Sequence, residues 1–361
     1  CSAGGIHTVS LFDQGFERLS TALNGIPDRV PFTTQMHELA MQWTGQSPRR
    51  FYTDPETLVR GIVDTAADLE FDIPSLGYDV YNIEAEALGA PVLFFDAGSP
   101  SIDEARPVIA DKDDLKKIKW PDSDTAGRVA FVTEIQHLFQ EKVGHPPPIQ
   151  FTAPFSLAVI LRGYQQLITD IYTDPGFVHR LLTVLTDEIL TPWIGILKQE
   201  SPESTTLRGA DALASFPLVN LAIFEAFVVP YVLRLKEKCK EPVTVLNWWG
   251  ESHLPDPVKL LQQKRIVSPA LVQGQDPDVL KLGPNLNKNF ATENGPALSL
   301  GIGDTFLKEA GPDEIRARIS DLLAICKPGG KLILYFCNLT TSTPVDHLKT
   351  AIKTIKENGG Y

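Results

Sequence analysis

The feature that most limits how this chain can fold is a regular alternation. Short apolar, β-rich runs at 30–34, 71–76, 148–152, 205–208, 243–246, 271–273, 297–301 and 331–336 are separated by longer amphipathic stretches. In the stretch 176–190, Phe177, Leu181, Leu182, Leu185 and Ile189 recur at helical spacing behind an Asp174-Pro175 start signal. The segments 55–69, 221–239, 312–324 and 344–357 read the same way. Strands that alternate with helices predict a parallel sheet, because parallel neighbours need a crossover connection. Eight strands is the number that makes a (β/α)8 TIM barrel. No linker or shift of composition divides the chain, so it reads as one domain, 1–361. Within it, 1–29 is a helical lead-in and 89–107 a hairpin inserted after the second strand. The pair Phe94-Phe95 in that insert reads as a lid or, as expected here, as a tucked apolar pair.

Composition narrows the partners. Forty-five acidic against 33 basic side chains give a formal charge of −12, which repels nucleic acid and anionic membrane surfaces. No apolar run reaches the roughly 18–20 residues of a membrane helix. Four cysteines without a C-x-x-C pair suggest a reducing, cytoplasmic setting rather than a disulfide framework. The sequence opens at Cys1-Ser2, for which a trimmed start is expected over a lipidated end. Gly301-Ile302-Gly303-Asp304 lacks the rest of a dinucleotide fingerprint, and no phosphate loop is present.

In barrels of this kind chemistry lies at the C-terminal ends of the strands. The first strand ends in Gln35-Met36-His37-Glu38 and the second leads to Tyr78-Asp79. The fourth ends in Arg208-Gly209-Ala210-Asp211 and the fifth in Asn247-Trp248-Trp249-Gly250-Glu251. The sixth gives Gln273, the seventh Gly303-Asp304 and the eighth Cys337-Asn338. Each has a structural alternative. His37 also reads as a helix cap. Asp211 and Asp304 stand where aspartates accept backbone N–H bonds at helix starts. Cys337 ends an apolar strand, as a small buried hydrophobe does. Of the two adjacent tryptophans, one is expected to pack under the helices and the other to wall the barrel mouth as an apolar face.

Five segments in order along the chain resemble the uroporphyrinogen decarboxylase superfamily, and its methyltransferase branch in particular. They are E-R-L-S-T-A-L-N-G-I-P-D-R-V-P-F at 17–32, Y-D-V-Y-N-I-E-A-E-A-L-G at 78–89, F-T-A-P-F-S-L-A-V-I-L-R-G at 151–163, R-G-A-D-A-L-A-S at 208–215 with F-E-A-F-V-V-P-Y at 224–231, and C-N-L-T-T-S-T-P-V-D-H-L at 337–348. The resemblance implies a (β/α)8 barrel with a funnel-like C-terminal face. It also implies one of two activities, cofactor-free decarboxylation of uroporphyrinogen or methyl transfer with a corrinoid carried on a partner protein.

Against the decarboxylase pattern, only Asp79 falls near the pyrrole-binding aspartate. The arginine-rich loop after strand one is here 35–41 without an arginine. The tyrosine after the third strand falls near Ile160, and the closing Gly-His-Gly is Phe336-Cys337-Asn338. An octa-acid substrate needs fixed cations, so that reaction is disfavoured. Thiol-methylating relatives end the fifth strand in Leu-His-x-Cys-Gly and use zinc. The same place here reads Leu246-Asn247-Trp248-Trp249-Gly250, with Cys337 at the last cysteine. An indole offers a metal no lone pair and a carboxamide is a poor zinc ligand, so the usual zinc site is expected to be absent.

The resulting expectation is a corrinoid-dependent methyltransferase that moves a methyl group between a small, aromatic methoxy substrate and a separate corrinoid protein. No Asp-x-His-x-x-Gly cobalamin motif occurs in the chain itself. Asp79 and Asp211 would orient the substrate, and His37 or Glu38 would protonate the leaving group. Met36, Tyr78, Asn247, Trp248, Trp249 and Gln273 would contact the substrate. Glu251 and Cys337 are weak metal candidates beside His37, Glu38, Asp79 and Asp211. A decarboxylase-like or other enzyme on the same barrel and a catalytically silent binding protein stay open, as does a homodimer.

Overall fold

The computed structural model describes residues 11–121 and 125–361. Nine strands are present among them: β1 Phe32–Thr34, β2 Val92–Leu93, β3 Ser101–Ile102, β4 Ile149–Thr152, β5 Leu207–Ala210, β6 Val243–Leu246, β7 Leu271–Gly274, β8 Ala297–Gly303 and β9 Leu332–Cys337. Seven of them are parallel and lie in two arcs, β1-β9-β8-β7 and β4-β5-β6. Helices cross between successive strands and bury their apolar stripes. In Pro55–Asp68 the stripe is Leu58, Val59, Ile62 and Ala66, and the Asp54 side chain accepts the Thr57 N–H at its start. Such a cap is worth about 1 kcal/mol. This is the (β/α)8 layout the alternation predicts, with the ladder interrupted at two seams.

The first seam holds the expected second strand. Residues 71–77 run between β1 and β4 without forming a ladder. Pro74 has no N–H to give, and side chains supply the cross-links instead. Asp72 accepts the β1 N–H of Phe32, while Arg18 and Arg29 neutralise its charge. On the other side Gln150 of β4 donates to the Leu76 carbonyl, and the Tyr78 hydroxyl donates to the Gln150 carbonyl at 3.2 Å. At the second seam, between β6 and β7, Gln273 accepts the Asn247 N–H at 3.1 Å.

Two further elements shape the ends of the barrel. The helix Asp13–Asn24 turns Phe16, Leu19 and Leu23 toward the barrel interior; residues 1–10 of the expected lead-in lie outside the described residues. The insert forms the antiparallel pair β2–β3, with Val92 opposite Ile102. Phe94 lies under the Arg49 guanidinium, 4.5 Å from its ring centroid, and Phe95 is exposed. No helix among the described residues is long and apolar enough to cross a membrane.

Candidate functional site

The barrel encloses a cavity of about 600 Å³ that reaches from the strand C-termini down to the helix Asp13–Asn24. Its wall is largely apolar, set with a few polar side chains. Strand register sets Gln150 beside Arg208 and Gln273 beside Ser299, and all four side chains line the space, with Tyr335. Of the residues singled out from sequence, His37, Glu38, Tyr78, Asp79, Asn247 and Gln273 line the cavity, whereas Met36, Asp211, Trp248, Trp249, Glu251 and Cys337 do not.

The β1 end carries a chain of hydrogen bonds. Glu38 accepts from the Ser99 N–H at 3.1 Å and from the Ser99 hydroxyl at 2.8 Å. Tyr52 lies 2.9 Å from the Ser99 oxygen and 2.7 Å from Nδ1 of His37. The direction of these bonds follows from counting protons. A carboxylate only accepts, so the Ser99 proton points to Glu38. The Tyr52 proton must then point to Ser99, and His37 must donate from Nδ1. That leaves Nε2 of His37 as a bare acceptor. Its neighbour agrees: the Gln35 amide nitrogen lies 3.4 Å away, and Gln35 Oε1 accepts from the Tyr335 hydroxyl at 3.2 Å. Burial lowers the His37 pKa below its usual 6.5, against the raising influence of Glu38 and Asp79. The ring therefore rests neutral, with its lone pair toward the Gln35 amide, and both residues line the cavity. It is set to take a proton first, where the sequence reading had it or Glu38 ready to give one.

The neighbouring residue needs a correction. Met36 stands at the turn from β1 into the helix His37–Trp43, where its side chain packs into the core, fully buried; it is not a substrate contact. Asp79 does face the cavity, but its carboxylate is clamped by Arg128, at 2.8 and 2.6 Å, and by the Asn82 amide at 2.7 Å. Arg128 also holds Glu86. The pair is buried, and removing either member of such a pair costs about 3–5 kcal/mol.

The β6 end departs most from expectation. Trp248 is buried behind the strand, edge-on to Phe224, and its Nε1 donates to Asp211 at 2.9 Å. Trp249 is partly buried and also lies off the cavity. Neither indole walls the mouth. Asp211 is fully buried and takes the Ser156 N–H and hydroxyl at 3.0 and 2.7 Å, so it fixes the start of the helix Pro154–Arg162 instead of orienting a ligand. Burial raises its pKa to about 6, with those bonds opposing. Glu251, with its buried partner Lys264, forms an internal ion pair and is not a metal ligand. The turn itself dictates this outcome. Asn247 takes a left-handed conformation, φ +70°, which ends the strand's alternation. Gly250 follows at φ +113°, where a Cβ would stand 2.5 Å from Cβ of Phe216.

The zinc-using pattern places its ligands at Asn247, Trp249 and Cys337, and these do not fit zinc. The Asn247 carboxamide accepts from Gln275 at 3.2 Å, and the indole lies elsewhere. Burial pushes the Cys337 thiol well above its ordinary range, so it holds its proton. Among the described residues no group of three His, Cys, Asp or Glu side chains is placed to hold a metal ion.

Sequence reasoning missed four participants. Tyr52 and Ser99 are distant in sequence from His37 and carry no local signal. Arg128 sits at the start of the helix Val129–Val143. Arg208 was visible as a lone cation in a strand that faces the barrel interior.

The sequence model of the uroporphyrinogen decarboxylase (URO-D) family matches residues 15–358. No curated protein matches. Among solved structures, a methyltransferase from Methanosarcina mazei superposes with a TM-score of 0.77 at 19% identity, over 94% of this chain and 97% of that one. A B12-independent methionine synthase from Shewanella sp. W3-18-1, in complex with selenomethionine, gives a TM-score of 0.45 at 12% identity, over 84% and 88% of the two chains. At these identities the likeness is one of fold.

Proposed function

The chain belongs to the uroporphyrinogen decarboxylase family, and from that premise we propose that it is a corrinoid-dependent methyltransferase of the cytoplasm. Its small substrate, a methoxylated aromatic compound in this reading, occupies the barrel cavity. The corrinoid is a second substrate, presented at the funnel by a separate protein. The observation that carries the reading is the one-way chain Glu38–Ser99–Tyr52–His37, which ends in a proton-accepting nitrogen at the cavity.

The chemistry needs one proton. The methyl group leaves the substrate oxygen for cobalt(I), which supplies the electron pair of the new bond. The C–O pair stays on oxygen, and that oxygen takes a proton. His37 Nε2 delivers it after first taking one from solvent, and the chain to Glu38 stabilises the transient imidazolium. In the reverse direction Nε2 serves as it rests, accepting the proton of a substrate O–H or S–H as that atom attacks the methyl group. A positioned acid or base of this kind contributes about 10²- to 10⁴-fold. The few polar side chains of the wall, Asn247 and Gln273 among them, orient the substrate.

The test is to mix the protein with cob(I)alamin and a panel of methoxyaromatic compounds and follow the methylcobalamin spectrum. The reading predicts methylcobalamin for at least one compound, and a rate about 10²-fold lower in His37→Asn. No methylcobalamin formed from any compound of the panel, and no loss of methylcobalamin when it is mixed with the demethylated compounds, contradicts it.

A further inference from the structure

Among the described residues Arg208 stands alone. The other arginines whose side chains are largely covered have carboxylate partners: Arg18 and Arg29 hold Asp72, Arg128 holds Asp79, Arg162 holds Asp170, and Arg318 holds Asp276. Arg208 has no ion pair and no hydrogen bond among the described residues. It is half-buried and lies on the cavity wall, not on the outer surface. It projects from the middle of β5 into the cavity, level with Gln150 and Thr244. Desolvation lowers its pKa, opposed only by the Tyr335 hydroxyl group nearby. Taking a cation out of bulk water without a counter-charge is costly. A chain with a −12 formal charge had many carboxylates from which to supply one.

The other charges in the cavity leave this guanidinium unopposed. Glu38 is held by Ser99, Asp79 by Arg128, and His37 is neutral. We propose that Arg208 is the anchor for the carboxylate of the ligand, so that this barrel takes a small monocarboxylic acid with its acid group deep and its other end at His37. In naming that acid as the substrate, the proposal rests on the methyl-transfer reading; the binding site itself does not. A planar fork of N–H donors matches a carboxylate in a two-point contact. One cation without a second, and two carboxylates on the same cavity, disfavour a phosphate dianion.

Binding is measured by calorimetry on the whole chain without any corrinoid, using benzoate and 4-methoxybenzoate, their neutral methyl esters, and inorganic phosphate. Wild type is expected to bind the carboxylates at least about tenfold more tightly than the esters. Arg208→Gln should lose that preference, and Arg208→Lys should keep part of it. The empty protein gives an independent readout: Arg208→Met should melt at a higher temperature than wild type, because an unpartnered cation is removed. Esters that bind as well as acids, phosphate that binds more tightly, an unchanged preference in Arg208→Gln, or no carboxylate binding at millimolar concentration each overturn the proposal. Carboxylate binding without methylcobalamin formation would keep the anion site and remove the methyl-transfer reading.

Discussion

The ends of β1 and β6 face each other in what they promise and what they deliver. The β6 end holds an amide, two indoles and a carboxylate within five residues. Three of those side chains point away from the cavity and hold the scaffold: Trp248 on Asp211, Glu251 on Lys264, and Trp249 off the mouth. The β1 end looks plainer, yet it assembles His37 and Glu38 with Tyr52 and Ser99 from two other segments into one oriented proton path. The difference lies in backbone phase. At β1 the strand stops at Thr34 and the helix His37–Trp43 starts almost at once, so His37 and Glu38 in its first turn aim at the cavity together. At β6 a left-handed Asn247 ends the alternation, and the conspicuous residues turn outward. Residue type at a strand end therefore says less about function than the direction of the next two Cα–Cβ bonds.

Substitutions separate the two ends. The largest effects should come at β6 and on stability. Glu251→Ala leaves Lys264 buried without its partner and should cost about 3–5 kcal/mol in denaturant unfolding. Trp248→Ala should cost a similar amount through the cavity it opens and the bond Asp211 loses. Trp249→Ala should cost less than about 1 kcal/mol. Ligand affinity in the folded protein should stay within about threefold for all three, since none lines the cavity. A large loss of affinity in Trp249→Ala would restore the indole-walled mouth and break the contrast.

Next in size is a pH effect just behind the site. Glu84 is fully buried, accepts from Thr152, and burial raises its pKa from 4.5 to about 7. Between those values the folded protein keeps a proton that the unfolded chain has lost. Stability contributed by this group is therefore present at low pH and falls as pH rises through the window, by about 3 kcal/mol in all. Glu84→Gln should flatten that slope. Unfolding free energies of the two proteins, measured across the window, should converge at the acid end and diverge at the neutral end. Parallel curves would show that Glu84 titrates as an ordinary carboxylate.

The smallest effect is the most specific. Ser99→Ala cuts the path between Tyr52 and Glu38 while leaving every charge in place. It should lower the methyl-transfer rate about tenfold and move the pH at which activity rises, with substrate KM little changed. A change in KM alone would make Ser99 a packing residue of the hairpin.

The sequence was legible where one local period decided the outcome. Seven of the eight expected strand runs form ladders at or within a few residues of their expected places. The eighth, 71–76, occupies its place but bonds through Asp72, Gln150 and Tyr78, because its backbone cannot complete a ladder through Pro74. The C-terminal-end rule found His37, Glu38, Tyr78, Asp79, Asn247 and Gln273, since barrel geometry aims such residues inward. It failed for Met36, Trp248 and Asp211, where the turn at the strand's end decides, and that turn is not written in composition. Tyr52, Ser99 and Arg128 were out of reach for another reason: only tertiary packing brings them to Asp79 and His37. Arg208 was readable in principle, as a cation in a short strand run, and its lack of a partner needed the structure.

The measurement that bears most directly on this account is the protonation of the His37 ring, read by nitrogen NMR of the labelled protein. Seven histidines are present, and the His37→Gln spectrum identifies the signal by its loss. The account predicts a neutral ring at neutral pH, protonated at Nδ1 and bare at Nε2, that titrates below 6.5. A ring protonated at Nε2 alone, or an imidazolium at neutral pH, would contradict it.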